Sequence, residues 1–254
     1  MELTARTFLI VCPLLFLAGL VDAIGGGGGL ISLPAYLIAG LPPHAAIATN
    51  KLSSACGTTL ATVRFIKNKL VNFKLAIPSV LAAMLGSSIG ARLSLMVEEQ
   101  AMEYLLLGIL PVAAFLVLNR RLFPEREEVA GWEPDRRTYL VAVIAALIIG
   151  MYDGFYGPGT GTFLIIAFTV FAKLGMKSAN GQAKVINLTT NLTALWVFLW
   201  SGQVHFLLGI VAALCNMAGG YIGAGLVMTK GSRIVRPSIL LVLFLLFLKI
   251  LGVY

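Results

Sequence analysis

Charge is scarce in this sequence, and its scarcity excludes more than any motif does. Only 12% of the 254 residues are Asp, Glu, Lys or Arg, against 59% hydrophobic residues and a mean hydropathy of +0.93. A soluble globule of this length needs far more polar surface. Histidine and cysteine are nearly as rare, with two and three copies. His44 and His205 stand at the ends of apolar runs, and Cys12, Cys56 and Cys215 lie inside them with no CxxC or metal-ligand spacing. No metal or cofactor is therefore expected. An intramembrane protease or metalloenzyme would need a buried nucleophile and base or clustered ligands, so the chain does not read as an enzyme. The net charge of +8 sits mostly between the apolar runs, where it reports orientation in a lipid bilayer and not nucleic-acid binding.

What is present is an all-α polytopic membrane protein. Apolar stretches run roughly over 7–23, 30–41, 45–66, 75–96, 101–118, 138–153, 160–172, 179–200, 204–228 and 235–253. Several approach the roughly 20 residues that cross a bilayer core, whereas 30–41 and 160–172 are short. Arg6 before the first run resembles the start of a signal peptide. The Asp22 region at the end of that run has a counterpart at Asp153 that cannot be a signal, so the segment is expected to stay in the mature protein.

That counterpart belongs to an internal repeat. An offset of 131 pairs Asp22 with Asp153, Gly26 with Gly157 and Gly28 with Gly159; an offset of 133 then pairs Lys51 with Lys184, Phe73 with Phe206, Gly86 with Gly219 and Gly90 with Gly223. The sequence divides into a first transmembrane repeat over 1–119, a charged linker over 120–137 and a second repeat over 138–254. Gly86 and Gly90, like Gly219 and Gly223, are small residues four apart, a spacing that flattens one helix face for close packing.

Basic residues orient the halves, because cytoplasmic loops collect Lys and Arg. The first-half connection carrying Arg64, Lys67, Lys69 and Lys74 is basic, while its second-half counterpart, Ser201 to His205, has no Lys or Arg. The next pair reverses, with Glu98, Glu99 and Glu103 in the first half and Lys230, Arg233 and Arg236 in the second. Corresponding loops therefore face opposite sides, and the repeats are expected to be inverted. The linker, with Arg120, Arg121, Arg126, Arg136 and Arg137, falls on the cytoplasmic side, as do Lys173 and Lys177.

Each half opens with an apolar run broken by glycine, at Gly25 to Gly29 and at Gly157-Pro-Gly-Thr-Gly161. Each broken segment is either a re-entrant hairpin or a full crossing pair, and the parity of the topology is the same for both. The short second arms favour the hairpin, since 12 residues at about 1.5 Å each reach roughly 18 Å of a 30 Å core. Glycine breaks at corresponding points of two halves are the sequence mark of a transporter's substrate site.

Gly25-Gly-Gly-Gly-Gly-Leu-Ile-Ser-Leu-Pro34, followed by Gly40-Leu-Pro-Pro-His-Ala-Ala-Ile-Ala-Thr49-Asn-Lys51 and, in the second half, Gly154-Phe-Tyr-Gly-Pro-Gly-Thr-Gly-Thr-Phe163, resembles the TauE/SafE sulfite exporter family of membrane permeases. The resemblance covers nearly the whole chain, and the Gly-Pro-Gly-Thr-Gly variant is similar to a branch with no assigned substrate. It implies proton-coupled transport of a small anion such as sulfite, a sulfonate or a related organic acid.

The residues fit an anion. Short arms starting after Gly26, Gly27 and Gly28, and after Gly157, Gly159 and Thr160, turn helix N-termini toward the break. Lys51 and Lys184 stand at matched depths in the following helices, beside Thr49 and Asn50 in one and Gln182, Asn187 and Asn191 in the other. Snorkelling to the nearest interface is the bland alternative for these lysines. Asp22 and Asp153 are expected either to neutralise the lysines or carry the coupling proton, or else to accept N–H bonds from the following glycines. The reading is a secondary carrier, exporter or permease, alternating access around a midplane site. A passive anion channel and a non-transporting scaffold are the alternatives. The compact loops suit a bacterial inner membrane, with the lipid bilayer and a small anion as partners.

Overall fold

The computed structural model describes residues 4–98, 100–101 and 133–230. They form helices and no strand: α1 (Ala5–Gly25), α2 (Gly29–Ile38), α3 (Pro43–Lys67), α4 (Phe73–Met96), α5 (Arg136–Phe155), α6 (Thr160–Ile166, continued by a π-helical turn over Ala167–Phe171), α7 (Met176–Trp200) and α8 (Phe206–Lys230). The apolar stretches expected at 101–118 (beyond Ala101) and 235–253 lie outside the described residues. So do Glu99, Glu103, Arg120, Arg121, Arg126, Arg233 and Arg236. Helix α5 begins two residues before the expected start of the second repeat. Asp135 caps it there, its Oδ1 accepting the Thr138 N–H at 2.8 Å and the Thr138 hydroxyl at 2.6 Å.

Helices α1, α4, α5 and α8 are long and apolar enough to cross a membrane, and Leu9, Ile77, Leu81, Ile148 and Leu214 lie on their exposed faces. Helices α3 and α7 are as long, 25 residues each, but hold most of the buried polar side chains, including Asn50, Lys51, Asn180, Lys184, Asn187 and Asn191. Such helices need partners to shield them from lipid, and they run through the centre. They are antiparallel: Thr62, near the end of α3, donates to the Lys184 carbonyl early in α7 at 3.3 Å.

The two sets of four helices match in order and approximate length, but they do not sit side by side. Helix α1 of the first set packs along α8 of the second, and α4 packs along α5. Glycine makes both seams. A Cβ on Gly86 or Gly90 would run into the Leu147 or Met151 carbonyl, and one on Gly219 or Gly223 into the Phe16 or Leu20 carbonyl. Such backbone-to-backbone approach supplies the dispersion contacts that hold helices together where lipid removes the hydrophobic drive.

Basic residues collect at one end. Lys74 pairs with Glu133 at 2.9 Å, the Thr138 hydroxyl reaches the Ala172 carbonyl at 3.5 Å, and Lys177 donates to the Met228 carbonyl at 3.0 Å. These contacts bring Lys67, Lys69, Arg136, Arg137, Lys173 and Lys230 to the same end. At the other end the His44 ring and the Ser94 carbonyl are 3.0 Å apart, and the His205 N–H donates to Thr49 at 3.1 Å.

Candidate functional site

The glycine breaks bring the site together. Helix α1 ends where Gly26 turns left-handed (φ +78°) with its N–H on the Asp22 carbonyl at 2.8 Å. Helix α6 starts after Gly157 and Gly159, also left-handed, and its Thr160 hydroxyl holds the Gly157 carbonyl at 2.7 Å. The breaks meet in the middle of the molecule: Thr162 donates its hydroxyl to the Gly25 carbonyl at 2.6 Å and its N–H to the Gly26 carbonyl at 3.3 Å. A Cβ on either Gly26 or Gly161 would run into the other's backbone.

Two ion pairs flank this contact, and each is shared between the halves. Lys51 of α3 places Nζ 2.9 Å from Asp153 Oδ2 of α5 and donates to the Asp153 carbonyl at 2.5 Å. Lys184 of α7 places Nζ 2.7 Å from Asp22 Oδ2 of α1 and donates to the Asp22 carbonyl as well. Lysine and aspartate side chains are 2% and 3% exposed in the first pair, 0% and 18% in the second. Neither lysine snorkels. Each ends on a carboxylate because an unpaired buried ammonium costs several kcal/mol or more. Asp22 Oδ1 also accepts the Gly28 N–H at 3.3 Å, so this carboxylate meets both a lysine and the glycine break.

A cavity of about 20 Å³, room for roughly one water-sized molecule, lies between the breaks. Of the expected residues, Asp22, Gly26, Asn50, Lys51, Asp153, Gly157, Thr160, Asn187 and Asn191 line it. Gly27, Gly28 and Gly159 belong to the breaks without lining the cavity, and Lys184 stands behind Asp22. Thr49 and Gln182 are turned away. Thr49 accepts the His205 N–H, and Gln182 Nε2 donates to the Asn72 carbonyl at 2.8 Å. Gly29 and Gly161, at the ends of the glycine breaks, also line the cavity, as does Ser54, one of the polar residues that the sequence sets beside Lys51. Ser54 stands three residues after Lys51, on the same helix face, and that spacing was the available signal. Among the described residues no group of three His, Cys, Asp or Glu is placed to hold a metal ion.

Apolar helices around a charged, polar centre make this an all-α membrane protein. The chain belongs to the sulfite exporter TauE/SafE family, whose model matches residues 11–250. It is 34% identical over 249 residues to the probable membrane transporter protein ORF9 of a Sinorhizobium species, covering 96% of this chain and 92% of that one. It is 32% identical over 259 residues to the probable membrane transporter protein YfcA of Escherichia coli (98% and 94%), and 33% identical over 236 residues to a probable membrane transporter protein of Haemophilus influenzae (92% and 90%). No solved structure matches. The chain is a membrane transporter.

Proposed function

We propose that the protein is a secondary carrier of a small anion, such as sulfite, a sulfonate or a related organic acid, coupled to protons. It would work as an exporter or permease by alternating access around the cavity between the two glycine breaks. The observation that carries this reading is the pair of buried ammonium–carboxylate contacts, each joining one half to the other beside that cavity. An anion drawn to an ammonium competes with the carboxylate already there, so its binding loosens the tie between the halves. Substrate occupancy and relative movement of the halves are thereby linked. Asn50, Ser54, Thr160, Asn187 and Asn191 supply neutral partners for the anion's oxygens.

The arrangement around the site fits two inverted repeats, 1–119 and 138–254, joined by the linker 120–137. Helices α3 and α7 hold equivalent places and run in opposite senses. Helix α2, ten residues long, reaches about 15 Å at 1.5 Å per residue, half of a bilayer core. Both broken segments are accordingly re-entrant hairpins in this reading. The basic end faces the cytoplasm of a bacterial inner membrane.

Thermal unfolding of the detergent-purified protein with sulfite, thiosulfate, sulfate, sulfonates and small carboxylates tests the reading. A ligand at 100 times its Kd adds about 2.7 kcal/mol, and the shift should vanish in Lys51→Ala. Absence of any shift across the panel would sink the anion assignment. Counterflow in proteoliposomes separates carrier from channel: trapped unlabelled substrate should drive accumulation of labelled substrate, which a channel does not do. The small cavity volume favours the carrier.

A further inference from the structure

We propose that the two ion pairs divide the labour. Lys51–Asp153 is the pair that opens, Asp153 taking one proton for each unit of anionic charge held by Lys51, while Lys184–Asp22 is a tie that stays closed. The inference rests on the carrier reading above and narrows its substrate to a singly charged oxyanion moving together with one proton.

Three observations carry it. The first is access: Lys51 and both carboxylates line the cavity, and Lys184 does not. A molecule in the cavity therefore reaches one ammonium, not two.

The second is how each carboxylate is held. Asp22 is supported on both oxygens, Oδ1 by the Gly28 N–H at 3.3 Å and Oδ2 by the Lys184 ammonium at 2.7 Å. Asp153 Oδ2 is buried and lies 2.9 Å from Lys51 Nζ, yet it accepts no hydrogen bond among the described residues, because the ammonium is aimed at the Asp153 carbonyl instead. Placing a proton on Oδ2 of Asp153 gives up only its ion-pair contact with Lys51, whereas protonating Asp22 gives up a hydrogen bond from the Gly28 N–H or the Lys184 ammonium. A protonated Oδ2 no longer neutralises the ammonium, which then keeps only its hydrogen bond to the Asp153 carbonyl and is open to an anion in the cavity.

The third is charge. The centre holds two lysines and two aspartates, a neutral set. An anion entering alone would leave an uncompensated charge in the membrane interior; one proton on Asp153 restores neutrality. Asp22, from α1 across the cavity, is the other carboxylate within it; Lys51 comes from α3, and Tyr152 and Tyr156 stand on the helix end that carries Asp153, with the Tyr152 hydroxyl tied to the Pro158 carbonyl. Helix α7 contributes Asn187 and Asn191, α6 contributes Thr160, and α4 approaches Gly154 with the backbone of Ser87. The proton enters with the anion and leaves with it, after which Lys51 returns to Asp153. A dianion would require a second proton on Asp22 and the loss of its hydrogen bonds.

Infrared difference spectra of the purified protein, taken from neutral to acidic pH, test the assignment. The carbonyl stretch of a buried protonated carboxyl should grow in, persist in Asp22→Asn and be lost in Asp153→Asn. Lys51→Met leaves Asp153 without its counter-charge and should show the band already at neutral pH, which decides the matter if Asp153→Asn does not fold. A band that disappears in Asp22→Asn, or a Lys51→Met protein without it at neutral pH, overturns the proposal. In proteoliposomes, uptake of whichever panel anion stabilises the protein should follow a pH gradient and ignore an imposed membrane potential. Uptake driven by the potential overturns it as well. If no panel anion stabilises the protein, the carrier reading fails, while the infrared result still decides which carboxylate takes the proton.

Discussion

The break between α1 and α2 is a run of five glycines of which only Gly26 is left-handed; the break between α5 and α6 has two left-handed glycines, Gly157 and Gly159, with Pro158 between them. At the first break the glycines answer mainly to space. A Cβ on Gly26 would meet the Gly161 backbone, and one on Gly28 would meet the Ala18 carbonyl and the Asp22 side chain. At Gly159 the demand is torsional: φ is +85°, yet an added Cβ would find only the Phe163 ring at 3.7 Å. The arms that follow differ too. Helix α2 is regular over ten residues, while α6 loosens into a π turn after seven. Gly26 and its equivalent Gly157 are both left-handed and crowded, but Gly28 and its equivalent Gly159 are required for different physical reasons, and the ion pairs beside them differ as well.

Substitutions can break or sharpen that comparison. The largest effect is expected for Gly26→Ala, which combines a strained φ with a backbone clash. It should cost more than about 4 kcal/mol and leave little monodisperse protein after detergent extraction. Gly159→Ala meets the torsional cost alone, about 1–2 kcal/mol, and should remain foldable with a lowered melting temperature; equal losses at the two sites would erase the distinction between space and torsion. Between those two in size falls Lys184→Met, which strands the Asp22 carboxylate and should cost about 3–5 kcal/mol. Most of that should return in Lys184→Met/Asp22→Asn, as read by melting of the double variant. Thr162→Val removes the hydroxyl that bridges the breaks and should cost about 1 kcal/mol.

The smallest effect is expected at the basic end. The Lys74 ammonium holds the Glu133 carboxyl below its ordinary value. A lowered carboxylate contributes its stability above the ordinary range and loses it as pH falls through the lowered one. Both side chains are exposed, so Glu133→Gln should leave the melting temperature unchanged at neutral pH.

Much of this was legible in the sequence. Apolar runs and glycine punctuation anticipate the order of the described helices, and the stripes at Gly86 and Gly90 and at Gly219 and Gly223 mark the two glycine seams. The ion pairs were half legible. The repeat offset aligns like with like, Asp22 with Asp153 and Lys51 with Lys184, and so identifies equivalent positions without saying which ones meet. The fold joins unlike residues across the halves. Thr49 and Gln182 show a second limit. Each stands two residues before its lysine, about 200° around a 3.6-residue turn, so the helix that aims the lysine inward turns them toward a loop backbone. Ser54 and Asn187, each three residues after a lysine, share its face and line the cavity. Helical phase, not polarity, separates the two groups, and phase becomes fixed only once the lysine's partner is known.

The exchange of partners along the two glycine seams also bears on biogenesis. Helix α1 finds its packing partner in α8, which is among the last parts of the described chain to be synthesised, so the face carrying the Phe16 and Leu20 carbonyls enters the bilayer long before α8 can cover it. The first half must wait there with its seam unfilled, and with Asp22 lacking the lysine that later pairs with it. Assembly of this transporter is consequently a late event that closes when the second half arrives. Halves made from separate genes should find each other through the same seams, whereas either half made alone should be cleared by membrane proteases.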